Sequence, residues 1–177
     1  MQDSFYKISA VILDHQIPCL AFSLEEDYHI NIDKDKLSRM ALPVGPWLGE
    51  LKTAIRESKT ESVFDVNGKT LAFSELRGIA EITRGQKISY VTDALGSGEN
   101  IKKVIELIQG SDVLYIETFF LDKDKTRAKE RFHLTAKEAG RIAREAGVGR
   151  LEAIHFSPRY MDEPEALRRE EEEEFKR

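Results

Sequence analysis

Three short apolar runs in the second half of the chain, separated by two stretches of helical spacing, constrain the fold more than any other feature. Ile88 to Thr92 reads as a buried strand. Ile101, Val104, Ile105 and Ile108 form a helix stripe that ends at Gly110, and Val113 to Ile116 is a second strand. Thr135-Ala136-Lys137-Glu138 has the capping-box pattern and opens a helix through Ile142 and Ala146, which Gly147 can terminate. Leu151 to Ile154 is a third strand. Strand–helix–strand–helix–strand order implies a parallel sheet covered by helices, because parallel neighbours need a crossover between them.

The first half reads differently. Tyr6 to Leu13 and Cys19 to Leu24 are apolar runs, divided by the polar break Asp14-His15-Gln16-Ile17-Pro18, which holds His15. Gly45-Pro46 introduces Trp47, Leu48, Leu51 and Ile55 at helical spacing, with proline suited to the first turn. Asn67-Gly68 lies between Val63–Val66 and Lys69–Phe73; the dipeptide favours the positive φ angles of a two-residue turn, which predicts a β-hairpin. With no internal repeat or linker, a single domain over 1–177 is expected. It would comprise strands, helix and hairpin over 1–85, the βαβαβ unit over 86–160, and an acidic helical tail over 161–177. The run Arg168-Arg169-Glu170-Glu171-Glu172-Glu173-Glu174 is expected as a solvated helix face or a frayed end.

Ligands of open α/β sheets collect beyond the carboxyl ends of the strands. Asp93 follows the first of the three strands, Glu117 the second and His155 the third, and His133 lies just before a helix N-terminus on the same edge. One Asp and two His on a rim suit zinc or a similar divalent ion. Blander readings stand beside this one. Asp93 could form a turn, His155 could be a hydrogen-bonded, half-buried residue, and His133 could assist the Thr135 cap. His29 reads as a surface residue, Trp47 as packing, and Cys19 as a small core residue and not a nucleophile. That cysteine is the only one in the sequence, so an intramolecular disulfide is excluded and a reducing, cytoplasmic setting is expected. No apolar run reaches membrane-span length and no leader pattern opens the chain. The net charge of −5 argues against a wholly basic nucleic-acid platform, while leaving room for a local basic patch.

Three segments together resemble the ribonuclease Z family of the metallo-β-lactamase fold. The first is Leu13-Asp14-His15-Gln16-Ile17-Pro18, with Leu42-Pro43-Val44-Gly45-Pro46 beyond it. The second is Val91-Thr92-Asp93. The third runs from Phe132-His133-Leu134-Thr135 to His155-Phe156-Ser157-Pro158-Arg159-Tyr160. The resemblance implies an α/β, layered α+β architecture: the C-terminal half of an αββα sandwich. It implies His15, Asp93 and His155 as metal ligands, His133 and Glu117 as catalytic, and Arg159 and Ser157 on a substrate phosphate. Two zinc ions would be held in a complete member, which would cleave a phosphodiester, as in tRNA 3′-end processing. The family's H-x-H-x-D-H motif has no counterpart here, and the segment resembling H-E-A-T has Ile116 before Glu117. The resemblance therefore implies a partial or empty metal site and an isolated chain with little activity. The expected partner is an N-terminal half or a second copy of the chain, with RNA as a candidate substrate and no membrane. Two other outcomes fit the same residues: a non-catalytic, self-associating half-domain, and a small-molecule hydrolase of this fold.

Overall fold

The computed structural model describes residues 6–177. Two compact units divide the chain. One holds the segment up to Asp27 together with Gln86–Arg177, and the other is Tyr28–Gly85. The expected grouping of 1–85 is therefore split, because the opening hairpin builds its sheet with strands that follow the second unit.

That hairpin is β1 (Tyr6–His15) and β2 (Ile17–Glu26), antiparallel, with Leu13 opposite Cys19 and His15 opposite Ile17. Both strands run further than the polar break suggested. The turn is Gln16 alone, at φ 63°. Pro18 is accommodated because β2 has its second neighbour only from Phe22 to Glu25, so the proline lies where the sheet is two strands wide.

The second unit contains β3 (Tyr28–Ile32), α1 (Lys34–Arg39), α2 (Trp47–Arg56), β4 (Val63–Val66), β5 (Lys69–Ala72), α3 (Phe73–Leu76) and β6 (Ala80–Arg84). Its helix after Gly45-Pro46 is as expected, with Trp47 and Leu51 buried. The β4–β5 turn has Asn67 at φ 55° and Gly68 at φ 80°, the geometry the dipeptide predicted. Ile30, Phe64, Leu71, Leu76 and Ile79 join the helix residues in this unit's own core.

The first unit resumes with β7 (Lys87–Val91), α4 (Gly98–Ile108), β8 (Val113–Glu117), α5 (Lys125–Glu130), α6 (Ala136–Glu145), β9 (Arg150–Ile154) and α7 (Pro164–Phe175). Sheet order is β1-β2-β7-β8-β9; β7, β8 and β9 are mutually parallel, as their sequence order required. One face packs Leu13, Ala21, Val91, Leu114 and Ile116 against Val104 and Ile108 of α4 and Ile142 of α6. The Thr135 hydroxyl caps α6, accepting from the Glu138 N–H while the Glu138 carboxylate accepts from the Thr135 N–H. Alternate residues point to the other face of the sheet, where Ile8, Ile12, Leu20, Phe22, Leu24, Ile88 and Tyr90 are exposed.

The acidic tail corrects an expectation. It forms α7, and only its outer face is solvated. Leu167, Glu171 and Glu174 are buried, and α7 crosses α6 at Gly140, where an added methyl would run into the Glu171 carbonyl oxygen. Close backbone approach through a glycine explains how a run of glutamates became an interior contact.

Candidate metal and proton-transfer site

Parallel β7, β8 and β9 end on one edge, and the sequence places a polar group at each end. Glu117 is the last residue of β8, Asp93 lies just past β7, and His155 follows β9 directly. His15 closes β1 on the same edge, and His133 arrives from the loop before α6. Left-handed backbone recurs here: Gln16, Asp93, Phe132 and His155 have φ between 53° and 63°. This conformation costs a non-glycine residue about 1–2 kcal/mol, and such strain concentrates where a side chain must be aimed.

Glu117 organises the cluster. It is fully buried, and its two oxygens accept five hydrogen bonds. Three come from the backbone N–H groups of Asp93 (2.9 Å), Ala94 (3.2 Å) and Leu134 (2.9 Å), and two from Nδ1 of His133 (2.9 Å) and His155 (3.2 Å). Burial pushes its pKa up, but the bonds from His133 and His155 outweigh that and hold it at about 2. The His155 pKa is raised, chiefly by the bond to Glu117, against the opposing effect of burial.

The three histidines share one arrangement. His15 Nδ1 donates to the Phe132 carbonyl (2.7 Å), His133 Nδ1 donates to Glu117, and His155 Nδ1 lies within reach of Glu117 and of the Thr92 hydroxyl (2.9 Å). An acceptor on Nδ1 fixes the tautomer and leaves Nε2 to offer its lone pair, the usual condition of a metal-ligating imidazole. Phe119 fixes the plane of the His133 ring, stacking on it at 3.8 Å between centroids and 4° between planes.

Asp93, Glu117, His133 and His155 bring candidate ligand atoms within 4.8 Å of one another, and His15 Nε2 stands 3.7 Å from Asp93 Oδ1. The donors fit a divalent cation, and Glu117, expected among the catalytic residues, stands beside them in a positioning role. Glu117 has no oxygen to spare after five donors, so it positions its neighbours and does not ligate. Asp93 is the opposite case: among the described residues no donor hydrogen-bonds to its carboxylate, which lies between His15 and His155. A carboxylate that accepts no hydrogen bond and lies 3.7 Å from each of two tautomer-fixed imidazoles is the donor set that zinc and similar ions take.

Of the seven residues singled out on strand order or resemblance, His15, Asp93, Glu117, His133 and His155 thus meet. The cap role open to His133 is taken by Thr135 itself. Ser157 is buried and its hydroxyl accepts from the Arg159 N–H (3.3 Å), while Arg159 Nε lies 3.6 Å from Asp124. Both line a cavity of about 460 Å³ that opens beside His133. Sequence reasoning missed Phe119, the Phe132 carbonyl, and Arg127 and Arg131 on the wall of that cavity. The aromatic pair Phe119-Phe120 after Glu117 was the available signal. Cys19 is half-buried, and burial followed by the Asp93 and Glu117 charges pushes its thiol up, which keeps it protonated and unreactive.

No family model matches the chain. Ribonuclease Z of Nanoarchaeum equitans is 36% identical over 157 residues, covering 89% of this chain and 45% of that protein. Ribonuclease Z of Deinococcus radiodurans is 31% identical over 159 residues, covering 88% and 46%. The chain is ribonuclease Z-like. It spans about half the length of the curated relatives it matches, corresponding to their C-terminal half. The metallo-β-lactamase fold protein YhfI from Bacillus subtilis superposes on 99% of the chain and 46% of its own, with a TM-score of 0.56 and 16% identity. That likeness establishes the fold of this ribonuclease Z-like chain as part of a metallo-β-lactamase sandwich. Among the described residues no helix is long and apolar enough to cross a membrane.

Proposed function

We propose that this chain is the half of a zinc-dependent phosphodiesterase that carries three of the metal ligands and the proton donor, with RNA as substrate. Its reading as tRNA 3′-end processing follows the ribonuclease Z relatives, and a cytoplasmic setting follows the unpaired Cys19. The supporting observation is the convergence of His15, Asp93 and His155 beside a histidine that Glu117 aims. Zinc held by His15, Asp93 and His155, with further ligands from a complementary half, would bring the pKa of the attacking water toward neutrality.

The chain's own groups handle the leaving side. His133 keeps its Nδ1 proton on Glu117, so the proton it can deliver is the one on Nε2. A buried carboxylate held at about 2 stays ionised and stabilises the imidazolium before transfer. Phe119 holds the ring flat and keeps water from one side of it. Arg159 offers a planar fork to a phosphate oxygen, and Ser157 fixes the turn that presents it.

Leaving-group dependence tests the assignment. With the complementary half present, His133→Ala should slow cleavage of an RNA phosphodiester by about 10²–10⁴-fold, the range for a lost general acid. It should slow a nitrophenyl phosphodiester far less, because nitrophenolate departs unprotonated. Equal losses on both substrates would refute the proton-donor role. A chelator should abolish both reactions, and the chain alone should turn over neither.

The exposed apolar sheet face favours a second reading, in which the chain is a non-catalytic half-domain that pairs with itself. Metal content of the purified chain separates the two: a zinc-free dimer with no metal-dependent turnover supports the second.

A further inference from the structure

Two cavities of about 460 Å³ each share His133 in their linings. The first is lined by Arg127, Arg131 and Arg159 against the single carboxylate of Glu130. The second is lined by Lys125, Lys129 and Arg141 against the single carboxylate of Glu138. Each wall therefore carries three cations to one anion, in a chain whose net charge is −5. The residues responsible sit mainly on α5 and its C-cap Arg131. Helical geometry sorts them: Lys125 and Lys129 are one turn apart on one side, and Arg127 and Arg131 are one turn apart on the other. Ala128, the buried residue of α5, seats the helix between the two cavities.

Arg127, Arg131 and Lys129 form no ion pair with any described residue, although Glu130 is close by in the same segment. Lys125 does pair with Glu138 (3.2 Å), Arg141 with Glu145 (3.2 Å) and Arg159 with Asp124 (3.6 Å). Exposed cations gathered around each cavity raise the local positive potential and favour an anionic occupant. The cavities also differ. Half-buried Phe119 and Phe132 line the first, whereas the second is lined by Leu95, Gly96, Ser97 and Gly98 and holds no phenylalanine, tyrosine or tryptophan ring. A base can stack in the first, and the cations and small residues of the second suit a sugar-phosphate backbone.

We propose that α5 grips a single polynucleotide strand across His133, with Arg127 and Arg131 on the phosphates of one flank and Lys125 and Lys129 on those of the other. The inference builds on the proposed phosphodiesterase reading and sharpens its substrate: the strand must continue on both sides of the scissile phosphate. A small diester would fill one cavity and leave the other cationic wall unused.

Binding tests this without metal, turnover or a second half. The probe is a short, end-labelled single-stranded RNA titrated with the 177-residue chain and read by fluorescence anisotropy at several salt concentrations. Arg127→Ala/Arg131→Ala and Lys125→Ala/Lys129→Ala should each weaken binding by about tenfold. Each should lower the slope of log affinity against log salt by about 1.4, two single-strand phosphates at about 0.7 each. Lys102→Ala/Lys103→Ala on α4 removes equal charge outside both cavities and should change little; thermal melts confirm that all variants fold. The proposal is overturned if the wild-type chain fails to bind at low salt, or if either α5 pair behaves like the α4 control. Failure of the enzymatic reading looks different: α5-dependent binding with no metal-dependent cleavage by the assembled protein removes the phosphodiesterase and leaves the grip standing.

Discussion

At the scale of single residues the site turns on a carboxylate with no solvent exposure and five donors. Substituting Glu117→Gln keeps the shape and reverses half the chemistry. The amide has one acceptor oxygen and an NH₂ group, and that group would face N–H donors from Asp93, His133 and His155. Breaking a buried, charge-assisted network of this kind costs about 3–5 kcal/mol, so urea denaturation at neutral pH should show a loss of that order. Two-dimensional ¹⁵N spectra should also show His133 losing its Nδ1-protonated tautomer. A loss under about 1 kcal/mol with the tautomer intact would mean Glu117 is packing and not positioning. Strand order placed Glu117, Asp93 and His155 on one rim because each follows a readable apolar run. The hydrogen bonds that give them roles were not readable. The N–H groups of Ala94 and Leu134 belong to separate loops, and nothing in a linear sequence says that their donors meet one carboxylate. The left-handed Phe132 is similar: a bulky residue at φ 63° carries no sequence signal that its carbonyl must reach His15.

Among the elements, α7 and α5 behaved least as their sequences suggested, and for one reason. The predicted strands are apolar and β-branched, and α4 has a clean stripe, so periodicity revealed them. In α7 the buried positions after Leu167 are Glu171 and Glu174, so the interior stripe is written in glutamate. In α5 the only buried residue is Ala128, so there was no stripe to see. The β1–β2 hairpin was legible as two strands, but its place beside β7 was not, since residues 28–85 intervene. Glu171 leaves a measurable trace. Among the described residues its Oε1 has no hydrogen-bond partner, and burial pushes its carboxyl up to about 8. Arg168 on α7 works against that, while Glu152 on β9 and Glu172 on α7 reinforce it. A carboxyl raised above its unfolded pKa holds its proton more tightly when folded, so the associated stability is complete below about 4.5 and is lost as pH rises through about 8. The melting temperature should therefore fall between about pH 4.5 and pH 8, and Glu171→Gln should flatten that fall, since a neutral amide never has to ionise. Calorimetry across this range checks it, and parallel slopes for the two proteins would mean Glu171 reaches solvent freely.

For the whole molecule the unbalanced feature is the sheet of the first unit, whose two faces differ in exposure. Strand register makes the exposed apolar residues contiguous: Ile8 lies opposite Leu24 and Leu24 opposite Ile88, Phe22 lies opposite Tyr90, and Ile12 opposite Leu20. These are rows across three strands and not scattered side chains, and Ile8 and Ile12 are 72% and 61% exposed. A continuous apolar area of this kind marks an interface. In the proposed reading, the occupant of this face is the complementary half. Without that half, a second copy offers the same apolar rows, and two-fold symmetry would let the face pair with itself. The purified chain should show concentration-dependent dimers in sedimentation velocity, and Phe22→Lys/Tyr90→Lys should shift it to monomer. Both side chains are already 42–46% exposed, so the variant's own unfolding free energy should move by no more than about 1 kcal/mol. The same variant should fail to assemble with the complementary half. Edge pairing through β1 is the competing mode, because among the described residues β1 is the last strand of the sheet and no strand pairs with its outer side. The two modes separate cleanly. Phe22 and Tyr90 lie on inner strands, so dimers that persist in Phe22→Lys/Tyr90→Lys but vanish when a proline is placed in β1 would assign association to the edge and leave the apolar face without a role in it.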